Sequence, residues 1–148
     1  MDDYILNYSK KGVVLLMKKI VLSVIIGGVL VANTYTDVKT KLMWQDNIEA
    51  KTVQKDWQES MDYCENLTLS GFKNWRLPNH MELVGISDKT KISPAIKKGF
   101  KNVISDAYWS SSTLMNMHAW GVTFYDGDDN YDYDQTYKHY VRCVRDSK

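Results

Sequence analysis

The sequence predicts an α+β domain, with two short helices early in the domain packed on an antiparallel sheet that closes the chain. Three observations carry this reading. From about Val53 to Leu67 the apolar positions Trp57, Met61, Cys64 and Leu67 recur at spacings of four, three and three, which is one face of a helix. The last third alternates instead: Trp120, Val122 and Phe124 share one face of a strand, as do Val141 and Cys143. A cysteine lies in each region, so a bond between Cys64 and Cys143 would fasten helix to sheet.

At 148 residues, 44% hydrophobic and 25% charged, the chain has the size and composition of one ordinary globular domain. Residues 17 to 32, MKKIVLSVIIGGVLVA, join a methionine and two lysines to an apolar run from Ile20 to Ala32, the layout of a secretory signal. As a helix the run spans roughly 20 Å against a hydrocarbon core of about 30 Å, which is short for a transmembrane helix. Leu30 stands where a signal peptidase prefers a smaller side chain, so a cleaved signal and an uncleaved N-terminal anchor both stay open. A membrane is a partner only in the second case. Residues 1 to 16, MDDYILNYSKKGVVLL, fit no targeting pattern, and translation is expected to start at Met17. The exported part is then a single domain, residues 33–148, in the periplasm, at the cell surface or outside the cell. It carries 15 basic and 16 acidic side chains, and a net charge near zero argues against a general nucleic-acid binder. In an exported protein an even cysteine count reads as a disulfide; a metal pair or catalytic thiol would need further ligands or a base, and only His80, His118 and His139 are available.

The elements follow in order. TYTDVKTKLMWQD (34 to 46) holds two β-prone runs around Lys39-Thr-Lys41, an opening hairpin or strand pair. The first helix is expected to stop at Gly71. Next, FKNWRLPNHMEL (72 to 83) places Pro78 where it disfavours a helical Leu77 and suits a first helical turn, while Asn79 and Glu82 have capping-box spacing. A second helix from about Asn79 to Ile86 follows, with Trp75 packed beneath it and Arg76 bonded to backbone carbonyls or a carboxylate of the fold. Residues 87 to 106 are irregular, with a helical turn after Pro94. The segments 107–113, 118–127 and 137–146 are strands.

Two clusters could meet a ligand. Lys89, Lys91, Lys97, Lys98 and Lys101 make residues 87–106 the most basic part of the chain, either a solvated loop or a patch for an anionic glycan or lipid head group. YDGDDNYDYDQTY (125 to 137) alternates Asp126, Asp128, Asn130, Asp132 and Asp134 with Tyr131, Tyr133 and Tyr137. Three readings are open: a hairpin with Asp-Gly and Asp-Asn turns, a calcium site on Asp126, Asp128, Asn130 and Asp132, or a sugar-binding face of tyrosines and carboxylates. Against the EF-hand loop, positions 1, 3 and 5 match, but Tyr131 replaces the glycine at 6 and Tyr137 the glutamate at 12. No cofactor other than calcium is suggested. No G-x-S-x-G, H-E-x-x-H or phosphate-binding glycine loop is present, and the serines after Trp109 have no histidine at readable spacing, so no enzyme activity is expected.

Six segments in order resemble the Lcl C-terminal domain family, also called the domain of unknown function 1566 family: residues 36–46, Trp57…Cys64-Glu-Asn-Leu67…Gly71, Trp75-Arg-Leu-Pro78…Glu82-Leu83, Tyr108-Trp-Ser-Ser-Ser-Thr113, Ala119-Trp-Gly-Val-Thr-Phe…Asp-Gly127 and Tyr140-Val-Arg-Cys-Val-Arg145. The resemblance covers roughly residues 35 to 146. That family is similar in turn to the C-type-lectin-like fold and to the formylglycine-generating enzymes. The resemblance implies a compact α+β domain with a disulfide from helix to last strand, and fold-defining roles for Trp44, Trp57, Trp75, Arg76, Leu77, Pro78, Glu82, Trp109, Trp120, Arg142 and Arg145. Lys41 stands where a glycine is usual and Ser60 where an alanine is usual. The enzyme relatives imply a cysteine pair or histidine triad that this chain does not offer, and the calcium-lectin tripeptides Glu-Pro-Asn and Trp-Asn-Asp are absent. The family is named after the terminal domain of a collagen-like bacterial adhesin, and that relative implies a glycan or surface protein as partner, with sulfated glycans suiting the lysines better than the aspartates.

Overall fold

The computed structural model describes residues 33–148 apart from Asn116 and Asn130, with Tyr131 and Asp132 described in backbone only; the N-terminal signal or anchor reading lies outside the described residues. Strands β1 (Thr34–Asp37) and β2 (Leu42–Gln45) form the expected opening hairpin, paired from Thr34↔Gln45 to Asp37↔Leu42. The chain turns between them with Lys41 at φ 58°, a left-handed conformation that explains why glycine suits this position. Relief of that strain leads us to expect that Lys41→Gly raises stability by about 1 kcal/mol. A shift of the urea midpoint upward checks it; an unchanged or lowered midpoint contradicts it.

A single 3-10 turn (Ile48–Lys51) and a two-residue strand β3 (Gln54–Lys55) precede helix α1 (Trp57–Asn66). The expected start at Val53 is therefore too early. Gln54 and Lys55 pair with Tyr140 and His139, and Asp56 caps the helix by accepting the Glu59 N–H at 2.8 Å. The expected stop at Gly71 is also displaced. The helix ends at Asn66, and Gly71 with Ser70 forms a tight turn, both at positive φ, closed by reciprocal backbone bonds between Leu69 and Phe72. Ser60, fully buried where an alanine is usual, satisfies its hydroxyl on the Asp56 carbonyl at 2.7 Å.

Helix α2 (His80–Ile86) starts as expected. The Asn79 side chain accepts the Glu82 N–H at 2.8 Å and Glu82 accepts the Asn79 N–H at 2.9 Å, a complete capping box. The same Glu82 carboxylate takes two bonds from Arg76, both at 2.7 Å, so the partner of Arg76 is a carboxylate. Burial opposes ionisation of Glu82, but Arg76 and the Asn79 N–H outweigh it and hold its pKa below the ordinary range. Trp75 and Leu77 are each 2% exposed, and they pack with Cys64, Trp109 and Val141 rather than with Leu83 and Ile86 of this helix, so Trp75 does not lie beneath it as expected.

The remaining strands are β4 (Ala107–Thr113), β5 (His118–Thr123), β6 (Tyr131–Asp134), β7 (His139–Tyr140) and β8 (Val144–Asp146). They build two sheets, in the orders β1-β2-β8 and β3-β7-β4-β5-β6. The expected closing strand is split. Residues 141–143 leave the ladder because the Gln45 side chain accepts the Cys143 N–H and Arg142 is buried in side-chain bonds. One contact, Tyr108 with Tyr140 between β4 and β7, is parallel rather than antiparallel. The larger sheet is covered on both faces. Tyr108, Val122 and Phe124 pack with Leu83 and Ile86 of α2, while Trp109 and Ala119 pack with Cys64 of α1, Trp75, Leu77 and Val141. The Cys64–Cys143 disulfide joins α1 to the segment between β7 and β8, so the cysteines are neither metal ligands nor free thiols. Two further tryptophans anchor backbone across the fold: Trp57 donates to the Ser110 carbonyl and Trp109 to that of Lys55, each at 2.9 Å. Trp120 is half-buried and stacks on His80 at 4.8 Å, and Arg145 lies 4.5 Å from the Phe72 ring.

Candidate functional site

The basic segment and the acidic loop, far apart in sequence, lie side by side. Ser93 and Ala95 donate backbone bonds to the Tyr125 and Phe124 carbonyls, at 2.7 and 2.8 Å. The helical turn expected after Pro94 does not form, because these bonds and that from Lys97 to the Ile86 carbonyl claim the backbone a helical turn would use. Ala95 and Ile96 are buried against the sheet instead.

This contact divides the lysines. Lys89 reaches the Asp129 carboxylate at 2.7 Å, which raises the lysine pKa and lowers that of the acid. Lys91 bonds Asp88 at 2.8 Å and the Ile96 carbonyl at 3.0 Å, and its bond foremost holds the Asp88 carboxyl down to about 2. Lys101 contributes its backbone N–H, at 2.9 Å, to the buried Asp46. Lys97 and Lys98 behave differently. With Lys39 from the β1–β2 turn they line a cleft of about 280 Å³ whose wall is Tyr35, Thr36 and Asp37. Tyr35 is held by Phe100, ring centroids 4.3 Å apart, and a side chain at Gly99 (φ 119°) would overlap the Tyr35 ring. Asp37 is tied to its own turn. It accepts the Lys39 and Thr40 N–H groups at 2.9 and 3.4 Å, and the Lys39 bond foremost, aided by the Lys97 charge, keeps it ionised against its burial. Lys39 escaped the sequence reading because its approach to Lys97, 58 positions away, has no local signature.

The acidic loop closes the expected hairpin, β5 pairing with β6 from His118↔Asp134 to Gly121↔Tyr131. Its carboxylates shape turns: Asp126 accepts the Asp128 N–H, Asp128 that of Asp129, and Asp134 both the N–H and hydroxyl of Thr136. Asn130 and the side chains of Tyr131 and Asp132 lie outside the described residues, so the calcium reading falls partly there. Among the described residues no group of three or more His, Cys, Asp or Glu side chains is arranged to hold a metal ion. Tyr133 turns inward, 4.1 Å from the His139 ring and 5.8 Å from Trp109, over Gly121, where a Cβ would come within 2.8 Å of its ring.

A second charged cleft, about 480 Å³ between the 3-10 turn and α1, has the opposite sign and includes Glu49, Glu59, Asp62 and Tyr63. Tyr63 donates to Glu49 at 2.9 Å and is pushed up to about 12, chiefly by burial. The surface thus offers a lysine cleft and a carboxylate cleft, each built from two segments.

No curated protein matches the chain. The model of the Lcl C-terminal domain matches residues 33–145, which take in the buried tryptophans, the disulfide and all of these elements but the last residue of β8. With three quarters of its length matched, the chain belongs to the Lcl C-terminal domain family.

Proposed function

We propose that the chain is an exported, non-catalytic binding module that works in the envelope or outside the cell, and that its ligand is an anionic glycan bound on Lys39, Lys97 and Lys98. The observation that carries this reading is the convergence of these three lysines, from the hairpin turn and the segment after Ile96, on one cleft beside Tyr35. Sulfate or carboxylate groups suit ammonium donors, the tyrosine ring offers apolar contact to a sugar face, and the other lysines with assigned ion pairs, Lys89 and Lys91, are already neutralised. Export is supported by the signal-like residues 17–32 and agrees with a disulfide that persists in oxidising compartments.

The test is titration of a heparin-derived sulfated oligosaccharide at about 50 and 200 mM salt, where screening weakens surface charge contacts. Lys97→Gln with Lys98→Gln should weaken binding about tenfold or more, the effect of losing charge-assisted bonds, while Lys89→Gln with Lys91→Gln should change it little. Equal loss in the two pairs, or no binding at either salt, would turn the reading toward a structural or protein-interaction domain of the envelope.

A further inference from the structure

We propose that the pocket between the β1–β2 hairpin and α2 is a second binding site, for a small organic cation with an apolar body, a primary amine on a chain or ring of a few carbons. The pocket measures about 420 Å³, within the size range of small-molecule sites. Leu42 and Trp44 of β2 and Ile86 of α2 supply its apolar walls, and Met81, 73% exposed, stands at its lip. Methionine is unbranched and adaptable, which suits a lip that fits ligands of differing shape.

Two features distinguish it from an accidental gap in packing. Gly85 lines it from within a helix, where glycine costs about 1 kcal/mol relative to alanine, yet a Cβ there would meet nothing within 4 Å. The space is therefore kept open by a residue that packing does not require. The charged groups in its lining are both carboxylates. Glu82 is neutralised through both oxygens by Arg76. Asp37 is different: it takes backbone bonds from Lys39 and Thr40 and a side-chain bond from Thr40, none of them from a cationic group, so it keeps its charge at the rim of the pocket. Lys97 faces Asp37 from the neighbouring cleft and moderates its charge without pairing with it. Apolar walls with one ionised carboxylate at the rim select a cation over a neutral or anionic molecule of equal size. The site shares only Asp37 with the lysine cleft and does not depend on glycan binding there.

The test is calorimetric titration of the full chain with hexylamine, hexanol and hexyl sulfate, three probes with one apolar body and different charge. Hexylamine should bind in the millimolar range and about fivefold or more tighter than hexanol, an increment of the size expected for one partly exposed ion pair, with hexyl sulfate weaker still. Gly85→Leu should fill the pocket and abolish hexylamine binding while melting no earlier than the unsubstituted protein, because the added side chain starts in open space and favours the helix. Asp37→Asn keeps an acceptor for the two backbone N–H groups and should erase the preference for hexylamine over hexanol. Absence of hexylamine binding, hexylamine binding unchanged in Gly85→Leu, or hexyl sulfate binding that is as tight as that of hexylamine and is lost in Gly85→Leu would each overturn the proposal.

Discussion

Arg142→Met is expected to lower the unfolding free energy by about 3–5 kcal/mol, the usual cost of leaving one member of a buried ion pair without its partner. Arg142 is fully buried. Its guanidinium donates to the Gln45 carbonyl at 2.6 Å, to the Asp46 carboxylate at 3.2 Å and to the Asn102 carbonyl, and it sits 4.9 Å from the Phe100 ring centroid and 5.6 Å from that of Tyr108. Methionine can fill much of the same volume but can supply none of these donors. Asp46, 2% exposed, would keep the Lys101 and Asn102 N–H groups and lose the cation that faces it. Because Asp46 is what ties residues 101 and 102 to β2, their amide hydrogen exchange should accelerate together with the fall in urea midpoint. Combining Arg142→Met with Asp46→Asn should cost less than the sum of the two single substitutions, since the second removes the stranded charge. A loss below about 1 kcal/mol in Arg142→Met would show that water or the aromatic rings replace the arginine adequately.

Removing the disulfide should have an effect of similar size by a different route. The cysteines are 79 positions apart, so the bond closes most of the domain into one loop, and the chain-entropy relation gives about 4–5 kcal/mol for a loop of that length. Set against a typical total of about 5–15 kcal/mol, the Cys64→Ala and Cys143→Ala double variant should be marginally folded at 37 °C. Both cysteines are fully buried, so serine would add an unsatisfied hydroxyl and alanine is the cleaner replacement. Urea denaturation of the oxidised and double-alanine proteins measures the difference. A difference under about 1 kcal/mol would mean that the unfolded chain is already compact and loses little entropy on cross-linking.

The parts of the fold readable from sequence are those whose causes are local. The capping box of α2 was visible because Asn79 and Glu82 are three residues apart and their bonds form within one turn. The start of α1 was equally local but was masked: Asp56 and Glu59 carry the cap signal, while Val53 extends the apolar period backwards into residues that pair as β3. Gly71 was recognised as a breaker, yet its period-based role as a helix stop was superseded by a two-residue turn with Ser70. For the candidate site the charges were legible and their pairing was not. Lys89 and Asp129 are 40 positions apart, and nothing in either neighbourhood marks them as partners, so nothing separates the five lysines from one another until the contact between residues 93–95 and 124–125 divides them.

By itself, the sequence determined the α+β class, the apolar face of α1, the capped start of α2 and the pairing of the two cysteines, because periodicity, caps and an even cysteine count act over one turn or by elimination. Only the tertiary structure decided where the last strand breaks, that Arg142 answers Asp46 from 96 positions away, and that Lys39 joins Lys97 and Lys98 while Lys89 and Lys91 are neutralised. The reason is physical. A charge takes its meaning from the dielectric and the partners around it, and those are set by which segments the two sheets bring together.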